Sequence, residues 1–144
     1  MSVSDKLAAL RAEKAAANLA EGEKFLSENK SKPNVITTES GLQYEILKDS
    51  DGAKPKATNT VKCHYHGTLI NGTIFDSSVQ RGMPASFPLN AVIKGWTEGV
   101  QLMSVGSKFR FYIHPSMASG ERQLSAEIGP NSTLIFEVEL LDIV

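Results

Sequence analysis

Two histidines alternate with other side chains that could do chemistry in the segment 63–66, which reads Cys63, His64, Tyr65 and His66. Residues two apart in a strand point to the same face, so the two imidazoles would lie side by side, while Cys63 and Tyr65 would point inward. With His114 they could begin a metal site, but zinc sites use three or four protein ligands, commonly supported by carboxylates. The sequence favours solvent-exposed histidines and predicts no metal ion; metal delivery is the weaker alternative.

Cys63 is the only cysteine in the chain. A single cysteine forbids an internal disulfide, which fits a reducing compartment. Because Cys63 would point inward from its strand, we predict a small buried apolar residue rather than a reactive thiol.

Trp96 is the only tryptophan, and Asp76 directly follows Phe75. Trp96 could form the floor of a cavity or serve as an ordinary core residue, and Asp76 could be a polar group beside an aromatic ring or a turn cap before Ser77. The chain lacks the G-x-S-x-G motif of serine hydrolases and the common phosphate-binding glycine loops. The residues alone leave both pairs of alternatives open, and no cofactor is predicted.

The elements that would position these residues fall into two regions that meet near Pro33. After it, short segments rich in β-branched and aromatic residues predict strands at 41–48, 60–70, 73–78, 85–89, 108–114 and 133–144. Asn71-Gly72 predicts a two-residue hairpin in which both residues take a positive φ. Apolar residues three and four apart predict one short helix at 91–103. The fold class is therefore α+β, with a curled antiparallel sheet of about five strands wrapped around this helix.

Before Pro33, residues 4–29 are rich in Ala, Leu, Glu and Lys and predict a long helix capped by Ser4. Its length would be roughly 35–40 Å. Val3, Leu7 and Leu10 share one face, but the pattern does not continue as a coiled-coil seam. Two interpretations stay open: the C-terminal turns pack on the domain and the rest lies in solvent, or the helix binds a partner or further helices.

Composition limits the class of protein. The 144 residues are 41% apolar, enough for one core, and 15 basic against 16 acidic residues leave a net charge of −1. Without a basic face, nucleic-acid binding is not expected. The apolar stretches are too short to span a bilayer, so we expect a soluble cytoplasmic protein, or a periplasmic one if a signal peptide was removed.

Four motifs, in order and in register, resemble the FKBP family of prolyl isomerases over residues 41–144. They are V-x-C-H-Y-H-G-T-L (61–69), N-G-T-x-F-D-S-S (71–78), F-x-L-x-x-V-I-x-G-W-x-E-G-V (87–100) and S-T-L-I-F-E-V-E-L-L (132–141). The N-terminal helix with G-E-x-F-L-x-E-N-K and T-T-x-S-G-L-Q-Y resembles the bacterial Mip-like branch. This resemblance implies residues 1–33 as N-terminal helix and linker, residues 34–144 as isomerase domain, and self-association through the helix as an open question.

The resemblance also implies the site. Its floor would be Trp96, with Asp76 as the acidic group at the rim and the backbone N–H of Ile93 as a donor to a bound carbonyl. The catalytic set it implies is Tyr65, Phe75, Asp76, Trp96 and Phe136. The substrate-binding set it implies is Val92, Ile93, Ile128, Phe87 and Ser119.

Three departures from the family pattern stand out. Ser119-Gly120 replaces the usual Tyr-Gly, Ala85 stands where many members carry Phe, and the loop 121–129 lacks the usual glycines and prolines. Ser119 is too short to reach a ligand carbonyl as the tyrosine does. We expect a more open and shallower pocket, and a weaker affinity for macrolide immunosuppressants with less effect on catalysis.

The function that the resemblance implies is peptidyl-prolyl cis-trans isomerisation of X-Pro bonds in unfolded or partly folded polypeptides. An apolar pocket that removes water from the bond favours the twisted amide, which is less dipolar than the planar one, without any covalent step. The alternative is a prolyl-peptide binding or chaperone module with reduced isomerase activity.

Overall fold

The structure, a computed structural model, describes residues 2–120, 122, 125 and 127–144. Its first element is a helix, α1 (Val3–Asn29), which begins one residue earlier than the sequence predicted. The cap is Ser2 and not Ser4: the Ser2 Oγ accepts from the Asp5 N–H at 3.1 Å, and the Asp5 carboxylate accepts from the Ser2 N–H at 3.3 Å. This reciprocal pair satisfies two of the free N–H groups at the helix start, which Ser4 inside the first turn cannot do.

The two halves of α1 have different surroundings. Val3, Leu7 and Leu10 are each more than half exposed, whereas Gly22 and Leu26 are buried against the sheet. The prediction that the C-terminal turns pack on the domain is confirmed, and a partner for the N-terminal half stays a prediction. Among the residues that the structure describes, no helix combines the length and the hydropathy needed to cross a membrane.

Within the part of the chain that the structure describes, seven antiparallel strands form one sheet in the order β1-β2-β6-β7-β3-β4, with β5 paired to β3 beside β4. They are β1 (Ile36–Thr37), β2 (Gln43–Lys48), β3 (Thr60–Leu69), β4 (Ile74–Ser77), β5 (Ala85–Pro88), β6 (Lys108–Ile113) and β7 (Leu134–Ile143). The α+β class and the antiparallel sheet are confirmed. The two-residue β1 was missed, because so short a pairing has no periodicity of its own.

The remaining helices are short. They are α2 (Ser78–Arg81), directly after β4, and α3 (Lys94–Val100), with single 3₁₀ turns at Leu89–Ala91 and Pro115–Met117. The predicted helix at 91–103 was too long, because Val92 and Ile93 are extended and separate the first 3₁₀ turn from α3. The strand predicted to Ser78 ends at Ser77, whose side chain caps α2 instead.

The turn between β3 and β4 also differs from the prediction. Of its two central residues only Gly72 has a positive φ, +90°, and Asn71 does not. The Gly72 N–H donates to the Leu69 carbonyl at 3.0 Å, and the Leu69 N–H donates to the Thr73 carbonyl at 2.9 Å. The loop therefore has three residues, an arrangement that needs a left-handed residue only at its last position.

The core lies between the inner face of the sheet and α3. Cys63 is fully buried on this face, as predicted, and burial raises the pKa of its thiol to about 12. The fully buried Phe111 of β6 packs directly on α3: a Cβ added to Gly99 would lie 2.5 Å from its ring. This close approach fixes the short helix across the sheet.

Candidate functional site

A cavity of about 300 Å³ opens between the inner face of the sheet and the start of α3. Its walls come from β3, β4, β5 and β7, from residues 91–93 before α3, and from the segment before β7. The lining residues are Tyr65, Phe75, Asp76, Phe87, Ala91, Val92, Ile93, Trp96, Ile128, Leu134 and Phe136. Among the described residues that line the cavity, Asp76 is the only carboxylate, and most of the others are apolar or aromatic.

Trp96 lies in the first turn of α3 and is only 4% exposed. Its ring is packed nearly perpendicular to three others, with centroid distances of 5.6 Å to Tyr65, 5.4 Å to Phe87 and 5.4 Å to Phe136. Edge-to-face contacts of this kind are favourable beyond simple burial, because the ring edge is positive and the face negative. The indole is therefore held rigidly while it lines the cavity, so both readings of Trp96, core residue and cavity residue, apply.

Phe136, in contact with Trp96, forms a further part of the wall together with Phe75, with ring centroids 5.3 Å apart and planes at 88°. They meet over Gly67 of β3, which is paired across the sheet with both Asp76 and Phe136. A Cβ at Gly67 would lie 2.6 Å from the Phe75 ring and 2.8 Å from that of Phe136. Only glycine leaves room for this wall.

The rim of the cavity carries a hydrogen-bonded triad. The Tyr65 hydroxyl donates to the Asp76 carboxylate at 2.7 Å, and Arg81 donates to the Tyr65 hydroxyl at 2.8 Å while forming an ion pair with Asp76. Arg81 was not predicted as a site residue. The sequence could have indicated it through the five-residue spacing from Asp76 to Arg81. A single helical turn after β4 brings two residues at this spacing into contact.

Electrostatics keep this triad in one protonation state at neutral pH. Partial burial works to raise the pKa of Asp76, but the hydrogen bonds from Tyr65 and Arg81 outweigh it and the net pKa is lowered. Burial, together with the bond to Asp76, raises the pKa of Tyr65. The rim therefore presents a carboxylate, a neutral phenol and a guanidinium, whose charges sum to zero.

This arrangement can bind an apolar ring in the interior and hold polar backbone groups at the rim. The cavity-lining residues that the structure describes include no serine, cysteine, lysine or histidine that could act as nucleophile or base. Across residues 2–120, 122, 125 and 127–144, no group of three His, Cys, Asp or Glu side chains is placed to hold a metal ion.

The structure gathers most of the residues predicted for the site into this cavity. Two expected positions lie elsewhere: Ser119 is 6% exposed and does not line the cavity, and neither does Ala85 on β5. The Ser119 Oγ is buried without a hydrogen-bond partner among the described residues. Ala91 and Leu134 line the cavity but were not predicted. Of the loop 121–129, residues 121, 123, 124 and 126 lie outside the described residues.

The histidines face away from the cavity. The Nδ1 atoms of His64 and His66 lie 2.9 Å and 2.8 Å from the hydroxyls of Ser78 and Ser77. His114 contacts Glu23 of α1 at 3.3 Å and Ser116 at 2.8 Å. The structure therefore brings His64 and His66 together on the outer face of β3, with His114 bonded elsewhere.

Comparison with known proteins agrees with these features. Residues 51–141 match the family model described as FKBP-type peptidyl-prolyl cis-trans isomerase, and residues 1–46 match the model of the domain amino terminal to it. A relative from Aeromonas hydrophila, "FKBP-type peptidyl-prolyl cis-trans isomerase FkpA", is 58% identical over 88% of this chain and 47% of its own length. "Outer membrane protein MIP" of Legionella longbeachae is 48% identical over 90% of this chain and 56% of its own length.

A solved structure, that of FkpA from Escherichia coli, superposes with a TM-score of 0.93 at 40% identity, over 98% of this chain and 66% of that one. The chain spans about half the length of the curated relatives described above, 47% and 56%.

Proposed function

Because the chain belongs to the family of FKBP-type peptidyl-prolyl cis-trans isomerases, we propose that its cavity accelerates rotation about X-Pro peptide bonds. The substrates are unfolded or partly folded polypeptides, in which such bonds exchange over tens of seconds or longer. The observation that carries the proposal is an apolar cavity with Trp96 in its wall and a charge-neutral polar rim around Asp76.

The chemistry needs no covalent step. Rotation must overcome the loss of amide resonance, a barrier of about 18–20 kcal/mol. The twisted amide is less dipolar than the planar one, so a cavity without water destabilises the planar ground state relative to the transition state. The proline ring lies against Trp96, with Tyr65, Phe75 and Phe136 around it.

The polar groups orient the peptide in this proposal. Proline has no N–H, so the first backbone donor after the X-Pro bond is the N–H of the residue that follows proline, which donates to Asp76. The N–H of Ile93, at the start of α3 where helical N–H groups lack intrahelical partners, donates to a substrate carbonyl. Phe87, Val92 and Ile128 provide the remaining apolar contacts.

The test is cis-to-trans exchange of a short X-Pro peptide, followed by NMR exchange spectroscopy. Wild type should accelerate exchange, and Asp76→Ala should lower kcat/KM by about tenfold, the loss of one hydrogen bond to a charged group. Asp142→Ala, at an exposed aspartate that does not line the cavity, is the matched control and should leave the rate unchanged.

The second candidate function is a prolyl-peptide binding or chaperone module, which is favoured by Ser119 lying outside the cavity. If wild type binds the peptide without accelerating exchange, this function replaces the first. Ser119 and Ala85 also concern the affinity for macrolide immunosuppressants. The resemblance implies an aromatic side chain at each of these two positions, and both are missing here, so weak macrolide binding is proposed. Restoring the rings with Ser119→Tyr and Ala85→Phe should tighten it in a titration.

Three further points belong to this proposal. Self-association through α1 is supported by Val3, Leu7 and Leu10, whose side chains are 56–74% exposed, and sedimentation of wild type against Leu7→Asp tests it. A cell-envelope location is supported over the predicted cytoplasm by the name of the Legionella relative, "Outer membrane protein MIP". The division into residues 1–33 and 34–144 is likewise kept as a proposal.

A further inference from the structure

The helix α1 contacts the segment that leads into β7. The Asn18 side-chain amide donates to the Pro130 carbonyl at 2.8 Å, and the Asn131 amide donates back to the Ala15 carbonyl at 3.3 Å. These two hydrogen bonds, termed here the α1–loop contact, join groups more than a hundred residues apart in sequence. Each satisfies a backbone carbonyl, and together they fix both the position and the direction of the segment relative to α1.

The same segment forms a wall of the cavity. Ile128, 5% exposed, lines the cavity, and only Gly129 separates it from Pro130. α1 also lies directly over Gly129, because a Cβ there would be 3.3 Å from both the Asn18 amide nitrogen and the Lys14 Cε. A displacement of α1 is therefore transmitted to Ile128 through two peptide units.

The backbone of this segment has little freedom to absorb such a displacement. Asn131 has a φ of +53°, a conformation that few residues other than glycine adopt, and its N–H donates to the Gly120 carbonyl at 2.7 Å. The Ser132 hydroxyl donates to the Gly129 carbonyl at 2.8 Å. These hydrogen bonds restrain the segment that connects α1 to the wall.

A second contact holds α1 at the other end of the same wall. A Cβ on Gly22 would lie 2.1 Å from the Thr133 Oγ1, so helix and chain approach as closely as glycine permits. Thr133 precedes Leu134, which also lines the cavity. α1 thus touches the chain beside both wall residues, Ile128 and Leu134.

We propose that Asn18 is a positioning residue for the site: through the α1–loop contact it holds Ile128 against the bound X-Pro segment and so sets the affinity of the cavity. This inference rests on the proposed function, since the affinity in question is that for an X-Pro peptide. Asn18 itself is outside the cavity and touches no substrate.

The first test is Asn18→Ala in the full chain. Alanine has the higher helix propensity, so α1 is not weakened by the change. KM for an X-Pro peptide should rise about three- to tenfold, the size expected for a loosened contact, with kcat nearly unchanged. Asn18→Asp keeps the size of the side chain but removes its N–H donors, so KM should rise by a similar factor. In both variants the NMR resonance of the Ile128 methyl groups should shift relative to wild type.

Two further variants separate positioning from general damage. Asn131→Gly keeps the positive φ accessible and removes only the side-chain donor, so it should reproduce the rise in KM. Lys24→Ala, at an exposed position on the same helix, should change neither KM nor the Ile128 resonance.

A double-mutant cycle with Ile128→Ala tests the route of action. If Asn18 acts through Ile128, Asn18→Ala should have no further effect on KM once that side chain is truncated. Additive effects, or an unmoved KM and Ile128 resonance in Asn18→Ala, would overturn the proposal. Failure of the proposed function looks different: wild type then does not accelerate exchange of the peptide, whether or not it binds it, while the Ile128 resonance still reports on the contact.

Discussion

The two faces of the β3–β7–β6 sheet are formed by the same strands but are stabilised by different interactions. Inward-facing residues such as Tyr65 and Phe136 pack ring against ring and form the cavity. Outward-facing neighbours such as His66 and Glu137 are paired across β3 and β7, and Glu137 also binds Arg110 at 2.7 Å. One face is held by apolar burial and the other by partly exposed ion pairs.

The difference teaches where the free energy of folding resides. Burying a large apolar side chain contributes about 1.5–3 kcal/mol before any cavity is counted, whereas an exposed ion pair contributes about 0–1 kcal/mol. Adjacent residues on one strand should therefore differ several-fold in how much their truncation costs. The three changes that follow test this expectation, from the inner face through the rim to the outer face.

The largest effect is expected for Phe111→Ala on the inner face. Phe111 is fully buried, close to Gly99 of α3 and within 6.5 Å of the Tyr44 ring. Truncation leaves a void that the short helix cannot fill, so the free energy of unfolding should fall by about 3–5 kcal/mol. Urea denaturation measures it, and the neighbouring outward-facing Arg110→Ala should cost about 1 kcal/mol or less. Equal losses for the two would contradict the division between the faces.

An intermediate effect is expected at the rim for Tyr65→Phe, which keeps the ring and removes the hydroxyl. Asp76 loses one of the hydrogen bonds that lower its pKa, so its pKa should rise, and the stability should fall by about 1 kcal/mol. NMR titration of the Asp76 carboxyl group reports the pKa. An unchanged titration would mean that Arg81 alone sets the charge of the rim.

The smallest effect is expected on the outer face, where the hydrogen bond from Arg110 lowers the pKa of Glu137 below its ordinary value of 4.5. Because the folded-state pKa is the lower one, this pair stabilises the protein above about pH 4.5 and the contribution is lost as pH falls through the folded-state value. We expect a loss of about 0.5–1 kcal/mol, reduced by salt. Urea denaturation at several pH values between 6 and 3 gives the free energy of unfolding at each pH. This free energy should fall less steeply with falling pH in Glu137→Gln than in wild type. An identical pH dependence would mean that Glu137 does not contribute to the loss of stability in acid.

The division between the faces was predictable because strands alternate with a period of two. Placing Cys63 and Tyr65 inward therefore required only the position of β3, which its β-branched residues and the following turn supply. The residues that line the cavity were predicted from the resemblance and not from periodicity, since no local pattern brings Trp96 and Phe136 together.

What escaped prediction depended on contacts between distant segments or on short elements. Arg81 reaches Asp76 only because α2 begins immediately after β4, where the sequence predicted that the strand continued. The start of α3 was misplaced because the apolar spacing runs through Val92 and Ile93, although both are extended. Asn18 looks like any polar residue of an exposed helix, and its partner Pro130 is 112 residues away.

That separation has a consequence for how the molecule assembles. A helix with the composition of α1 can form from local contacts within about a microsecond of becoming available. The centre of the sheet, in contrast, joins β3 to β7, and the closure of such long loops slows folding. During synthesis α1 therefore emerges before the sheet, yet its contact with Pro130 can form only after that residue has been made. The walls of the cavity, which include Ile128 and Leu134, can be completed only after these late residues have been made.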